Sequence, residues 1–284
     1  MNILVVGHNS LVAKHLFAKL EKCHTLFSAG RGKNADVKID LLDVADTFYD
    51  VPQCDVLIHC AASFSSDTIE GSELNERINA LGSFQVSKLA VLAGCDYVIN
   101  LGTISSFKHP ENEYYGTYGI SKAHGEENLS HCCRLACIRF ISLRLSQIYD
   151  DQGAARKHQP FLYQIMDNAN EGKEVVLYGT KDPLRNLIHV DDVVQIIERT
   201  LHKKTVGIHP VLFPKSYTLS EIASLAFKTF DIESSIHFHK DKPDIKTIHI
   251  PAMSDIYEQL GYIPSIDLTV GMLRIREAMY ASST

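Results

Sequence analysis

The first thirteen residues constrain the fold most. A short apolar run, Asn2 to Val6, ends on Gly7, and Leu11, His15, Leu16 and Leu20 then recur at helical spacing. A strand that turns through a glycine directly into a helix opens a unit in which the two alternate. The alternation continues: His24 to Ala29, Val37 to Ile39, Val56 to Cys60, Tyr97 to Leu101 and Cys137 to Leu145 read as strands. Residues 72–93 read as a long helix, and Tyr118 begins another. This order predicts an α/β fold, a Rossmann doubly wound parallel sheet covered on both faces.

Beyond residue 150 the regularity weakens. Gly153, Pro160, Gly172, Gly179 and Pro183 punctuate 151–184, and Arg185 to Ile197 returns to a strong apolar pattern. Thr218-Leu-Ser-Glu221 reads as a capping box opening a helix. No repeat, low-complexity tract or long linker interrupts the chain. The expected organisation is a dinucleotide-binding Rossmann domain over 1–150 plus 185–205, and a smaller C-terminal α/β substrate-binding lobe over 151–184 plus 206–284.

Composition narrows the partners. With 28 Lys+Arg against 34 Asp+Glu, the net charge is -6, which gives no basic surface for nucleic acid. No apolar run approaches the roughly 18–20 residues that cross a bilayer, and MNILVVGHNS has neither the positive start nor the cleavage site of a secretory signal. Seven cysteines without a CxxC pair read as reduced thiols in a cytoplasmic protein. Fourteen histidines include no HxxxH or HExxH spacing. His237, His239 and His249 read as alternating strand positions, so no metal site is expected.

The segment Gly7-His-Asn-Ser10-Leu11-Val12-Ala13 stands where a Rossmann fold offers helix N–H groups to a pyrophosphate. Only its first glycine is present; Ser10 and Ala13 are small enough for close backbone approach. Taken alone, the segment fits a structural turn as well as a cofactor loop. After the second strand comes Ser28-Ala-Gly30-Arg31-Gly-Lys33, with no carboxylate to hold ribose hydroxyls. Arg31, with Lys33 nearby, suits a 2′-phosphate, which favours NADP(H) over NAD(H); the alternative is a solvated basic turn. Asp40-Leu41 follows the third strand and Cys60-Ala61-Ala62 the fourth. Both lie at carboxyl ends of strands, where open α/β sheets bind ligands.

Tyr118-Gly-Ile-Ser-Lys122 puts a phenol and an ammonium one helical turn apart. A phenol with a pKa near 10 is a poor base at neutral pH, and a nearby Lys122 cation, helped by an oxidised nicotinamide, is expected to favour its phenolate. Thr103, on the loop after the strand ending at Leu101, supplies a hydroxyl for a substrate oxygen. Asn79 is a polar residue in an apolar helix face, suited to hold a water or a backbone carbonyl, or simply a satisfied buried amide.

Together these segments resemble the extended short-chain dehydrogenase/reductases, the NAD-dependent epimerase/dehydratase family that acts largely on nucleotide-activated sugars. The resemblance also takes in Asn79-Ala-Leu-Gly82, Leu101-Gly-Thr103, Arg144-Leu-Ser-Gln-Ile-Tyr149, Arg185-Asn-Leu-Ile-His-Val-Asp-Asp192 and Leu260-Gly-Tyr-Ile-Pro264. It implies that Tyr118 is the acid/base, that Lys122 holds the cofactor ribose and tunes Tyr118, and that Thr103 orients the reacting oxygen. It implies that Arg185 meets a substrate phosphate, that Gln147 stands where relatives carry a substrate-binding Asn, and that the chain forms a homodimer through the helices carrying Asn79 and Tyr118.

Family dehydratases carry Asp-Glu after the catalytic Thr, whereas Ile104-Ser105 follows Thr103 here and cannot transfer a proton near neutral pH. The epimerase-reductases that make activated fucose have a Cys where this chain has Ser105. Two enzymatic expectations remain. The favoured one is an NADP-dependent 4-keto reductase of a nucleotide sugar; the other is a nucleotide-sugar 4-epimerase that retains NAD. A third, of another class, is a non-catalytic dinucleotide-binding regulator.

Overall fold

The computed structural model describes residues 1–43, 48 and 50–281. Its strands are β1 (Asn2–Val6), β2 (Thr25–Gly30), β3 (Val37–Lys38), β4 (Val56–His59), β5 (Tyr97–Thr103), β6 (Arg139–Leu145), β7 (Gln147–Tyr149), β8 (Val175–Tyr178), β9 (Leu184–Arg185), β10 (Leu187–His189), β11 (Gly207–Val211), β12 (Tyr217–Thr218) and β13 (Ile236–His239). The helices are α1 (Leu11–Leu20), α2 (Ile69–Asn75), α3 (Gly82–Leu92), α4 (Thr117–Leu135), α5 (Pro160–Asn170), α6 (Val190–Lys203), α7 (Leu219–Thr229), α8 (Ile256–Leu260) and α9 (Leu268–Ala281).

Seven strands form one sheet in the order β11-β6-β5-β4-β1-β2-β3, and every pairing in it is parallel. The order reverses beside β1, the switch point at which such sheets bind ligands. Because side chains alternate along a strand, Ile3 and Val5 face one hydrophobic cluster while Leu4 and Val6 face another. The first cluster is closed by α1, α6 and α8, the second by α3 and α4. Both faces are therefore dry, as a parallel sheet requires.

The expected α/β Rossmann fold is the fold observed. Two details differ. The seventh strand, β11, begins at Gly207 and pairs with β6, so the sheet takes in residues assigned from sequence to the lobe. The boundary placed at 205 belongs after Val211. In addition, β5 runs on to Thr103, which puts that hydroxyl at a strand end and not on the following loop.

The long helix expected over 72–93 is α2 and α3 joined through a π-helical stretch, Glu76–Leu81. Such bulges widen a helix locally and recur at functional sites. Here α4 packs against it so closely that a Cβ at Gly125 would lie 2.0 Å from the Asn79 carbonyl oxygen. The C-terminal part builds its own core from α5, α7, α9 and β8, including Tyr163, Met166, Phe227 and Met272. The capping box at Thr218 and Glu221 forms as predicted and opens α7. His237 and His239 lie on β13, but His249 does not continue that strand; it lies in an irregular segment ten residues on.

Candidate active site

Gly7 turns the chain from β1 toward α1 with φ +86°, and its N–H donates to the Ala29 carbonyl at 2.9 Å. A Cβ at Gly7 would lie 2.6 Å from the Ala61 backbone nitrogen, so the loop after β4 closes directly over the turn. Ser10 caps α1, its Oγ accepting the N–H of Ala13 at 3.4 Å. The remaining first-turn N–H groups, those of Leu11 and Val12 among them, have no carbonyl four residues back in the helix and form the positive end of its dipole. A glycine held bare by Cys60-Ala61-Ala62, followed by a capped helix N-terminus, fits a dinucleotide pyrophosphate despite the two missing glycines.

Beyond the ends of β2 and β3 lies a cavity of about 330 Å³ lined by Arg31, Lys38, Ile39, Asp40, Asp43 and Gln85 among others. Arg31 is exposed. Lys38 spans the turn after β2, its Nζ donating to the carbonyls of Gly32 and, at 2.5 Å, Lys33. The Lys33 side chain does not line the cavity. Asp36, the nearest carboxylate after β2, accepts from Ser28 N and Oγ at 2.7 Å each, which holds it below the usual carboxylate range. Leu41 is buried against Gly82, while Asp40 accepts the Leu42 N–H at 3.1 Å.

Tyr118 and Lys122 lie on successive turns of α4. Lys122 is 6 % exposed, and its ammonium donates to the Leu101 carbonyl at 2.8 Å, tying the helix to the end of β5. Burial lowers its pKa to about 8, against the opposing pull of Glu126 one turn further on. Tyr118 is half-buried, and desolvation raises it to about 12. In the protein without a bound nicotinamide, desolvation alone sets this direction, toward the protonated phenol.

Thr103 is buried, and its Oγ1 accepts the N–H of Ser105 at 3.1 Å, which fixes the hydroxyl at the head of a short 3₁₀ turn. The first turn of α4 rests on that turn, since a Cβ at Gly119 would lie 2.4 Å from the Ser105 carbonyl oxygen. Three residues separated by up to nineteen positions in sequence are thereby gathered at the carboxyl end of β5, an interior strand of the sheet.

Asn79 is fully engaged. Its Oδ1 accepts Ser63 N at 2.7 Å, and its Nδ2 donates to Ser63 O at 2.9 Å and Ser121 Oγ at 3.0 Å. It holds a backbone carbonyl, that of Ser63, as a fully satisfied amide, and fastens the loop after β4 to α4. At the end of β6, Gln147 donates to Gln159 Oε1 at 3.0 Å, while its own Oε1 and the neighbouring Ser146 Oγ are buried without partners. Arg185 is buried and donates to the carbonyls of Leu184 at 2.9 Å and Lys246 at 2.8 Å, lying 5.7 Å from the Tyr114 ring centroid. It is therefore anchored to backbone, with desolvation lowering its pKa.

Several residues escaped the sequence reading. The Phe64 ring meets Tyr118 edge-on, 4.9 Å between centroids. Asp67 accepts from Thr117 N at 3.1 Å and Oγ1 at 2.9 Å, and pairs with Lys246 across the cleft at 3.0 Å. Glu126, 2 % exposed, accepts from Arg144 Nη2 at 2.5 Å and from Ser142 Oγ at 2.5 Å. Glu126 shares the helix face of Tyr118 and Lys122, so the four-residue spacing was a signal available in the sequence. The others join segments remote along the chain and left none. His59, at the end of β4, is buried with Nδ1 unpartnered, and desolvation pushes it down to about 3.

The chain matches the family model described as "NAD dependent epimerase/dehydratase family" over residues 3–213. It is 22% identical over 255 residues to the "Putative UDP-glucose 4-epimerase" of Methanocaldococcus jannaschii, covering 85% of this chain and 81% of that one. Among solved structures, it resembles a UDP-glucose 4-epimerase of Thermotoga maritima with UDP-glucose, at TM-score 0.79, 19% identity and full coverage of both chains. It also resembles a Thermus thermophilus UDP-glucose 4-epimerase in complex with NAD, at TM-score 0.77 and 16% identity, covering 99% of this chain and 100% of that one. The structural likenesses speak for the fold. The family match spans the sheet, the Gly7 turn and the Thr103, Tyr118 and Lys122 cluster, and by it the chain belongs to the NAD dependent epimerase/dehydratase family.

Proposed function

We propose that this chain is a cytoplasmic oxidoreductase acting at C4 of a nucleotide-activated sugar, in the direction that reduces a 4-keto sugar with NADPH. The observation that carries the reading is the gathering of Thr103, Tyr118 and Lys122 at the carboxyl end of β5, the side on which Rossmann sheets bind ligands. A bound nicotinamide supplies the hydride. Tyr118, held protonated by burial, donates its proton to the carbonyl oxygen, which suits reduction. Thr103, with one lone pair of its hydroxyl taken by Ser105 N, can turn its O–H to the same oxygen. Lys122 fixes the helix and supplies positive charge where the phenolate forms. Arg185 and the adjacent Lys246 suit the diphosphate of the nucleotide, and Gln147 the sugar hydroxyls.

NADPH is favoured over NADH by the exposed Arg31 beside the cavity beyond β2 and β3 and by the engagement of Asp36 with Ser28. The homodimer implied by the resemblance has a candidate face on α3 and α4. There Phe84, Val91, Leu92 and Leu135 are exposed around an apolar cavity of about 550 Å³. Among the described residues no helix is long and apolar enough to cross a membrane. The intact acid/base pair weighs against a non-catalytic regulator. A 4-epimerase with retained NAD is the second reading, favoured by the names and bound NAD of the structural relatives.

A fluorescence titration with NADPH and NADH tests the proposal, aided by the absence of tryptophan. The reductase reading expects selective NADPH binding, a larger loss for NADPH than for NADH in Arg31→Ala, and NADPH oxidation by 4-keto nucleotide sugars. NAD retained through purification, with no NADPH preference, supports the epimerase in its place.

A further inference from the structure

Outside the cofactor and substrate cleft, two clusters of metal-ligating side chains stand out among the described residues. The first, Asp151, His189 and Asp191, is already filled by protein cations and hydrogen bonds. His189 Nε2 meets Asp151 at 2.7 Å, its Nδ1 accepts the Asp191 N–H at 3.2 Å, and Arg274 lies 3.3 Å from Asp191. His15 adds a further partner to Asp191 at 3.5 Å. An added metal would have to displace these.

The second cluster is different. His109, Glu111 and His249 each bring one ligand atom within 4.8 Å of the others. The imidazoles of His109 and His249 lie nearly parallel, 16° apart, with centroids at 3.8 Å. The ligands come from two parts of the fold, the loop after Thr103 and the segment after β13, separated by 140 residues. Two further contacts pin those segments together. Asn112 donates to the Phe107 carbonyl at 2.8 Å and accepts the His249 N–H at 3.4 Å. Glu113 N donates to Thr247 O at 3.0 Å, and Thr247 N donates to the Glu113 carboxylate at 2.6 Å. Ile248, buried beside His249, packs with Ile104 and Leu212, so the backbone carrying one ligand is anchored in a small core.

We propose that His109, Glu111 and His249 form a site for one divalent transition-metal ion, with zinc the best match, bridging the loop after Thr103 to the C-terminal part. Two imidazoles and one carboxylate are a borderline-soft N₂O set that suits zinc and leaves a position for water. Metal–ligand bonds of about 2.0–2.2 Å need the donor atoms roughly 3.3–3.5 Å apart with both lone pairs aimed at the ion, so one imidazole must turn out of the stack as the cluster closes. His109 and Glu111 are on an exposed loop that can make that adjustment. His109 Nδ1 now accepts the Glu111 N–H at 3.2 Å, a contact that a metal at Nδ1 replaces and that water can satisfy on this exposed loop.

The test uses the full chain stripped with chelator and then equilibrated with Zn²⁺, and separately with Co²⁺, near pH 7.5. One equivalent is expected to bind, with a cobalt spectrum lacking thiolate charge-transfer bands, since seven cysteines are the main competing ligands. His109→Ala and His249→Ala should each abolish that equivalent, and Glu111→Gln should weaken it at least tenfold. If His249→Ala does not fold, His109→Ala carries the test, because that side chain is exposed. No uptake, thiolate bands, or uptake unchanged in His109→Ala or Glu111→Gln would overturn the proposal.

Discussion

The ammonium of Lys122 reaches the backbone carbonyl of Leu101 across 2.8 Å, two residues before Thr103. This hydrogen bond locks the first two turns of α4 to the end of β5. Thr103 and Tyr118 are thereby carried on elements tied to each other, and precise placement of the two is what the proposed carbonyl reduction requires.

If Tyr118 is the proton donor, Tyr118→Phe should lower turnover of a 4-keto nucleotide sugar by about 10²–10⁴-fold, the usual contribution of a positioned acid or base. NADPH binding should persist in the same variant, because only a hydroxyl is removed. Steady-state kinetics with a parallel nucleotide titration check both halves. Unaltered turnover would remove Tyr118 from the mechanism.

Gly7→Ala should reduce both stability and nucleotide affinity. The position has φ +86° and a Cβ there would meet Ala61 at 2.6 Å. Left-handed backbone alone costs roughly 1–2 kcal/mol for a residue with a side chain, and the contact adds to it. Thermal unfolding and nucleotide titration of the variant measure the two effects, and a wild-type result in both would show that the loop over Gly7 is loosely held.

Glu126→Ala should destabilise the fold by about 3–5 kcal/mol, the range seen when one member of a buried ion pair is removed. Arg144 would keep its charge, with its side chain only 16% exposed, and lose its carboxylate partner. Denaturant titration gives the difference. A loss below about 1 kcal/mol would mean that water reaches Arg144 freely.

His59 supplies a pH signature. Its folded pKa, about 3, lies below the ordinary 6.5, so the unfolded chain takes up a proton that the native state refuses. Its contribution to stability is present above pH 6.5 and is lost as pH falls toward 3, at about 1.4 kcal/mol for each tenfold change in proton concentration. The melting temperature of wild type, measured relative to His59→Gln, should therefore drop steadily between about pH 7 and 4. A constant difference over that range would show that His59 is not buried in its neutral form.

The sheet was legible because its strands are short apolar runs closed by Gly, Asp or His, and both faces of a parallel sheet demand such runs. The boundary near 205 was misplaced because β11, Gly-Ile-His-Pro-Val, lies at the sheet edge and half of it is polar or exposed. Tyr118 and Lys122 were readable from helical spacing alone. The electrostatics were not: whether Lys122 or desolvation governs Tyr118 depends on packing from Phe64 and α4, which spacing does not encode. Arg185 stood out by its charge, yet its present partners are carbonyls, one of them sixty-one residues away. His109 and His249 belong together only because loops far apart in sequence are brought into contact.

The close seat of α4 on the π-helical stretch has a consequence for how this protein can change. Position 125 carries no chemistry, yet even a methyl group there would strike the carbonyl of Asn79 at 2.0 Å. The displaced helix would carry Tyr118 and Lys122 with it. In a library of variants, then, position 125 should be as intolerant of substitution as the reacting residues themselves. Divergence is thereby channelled away from this helix and into positions that do not touch it.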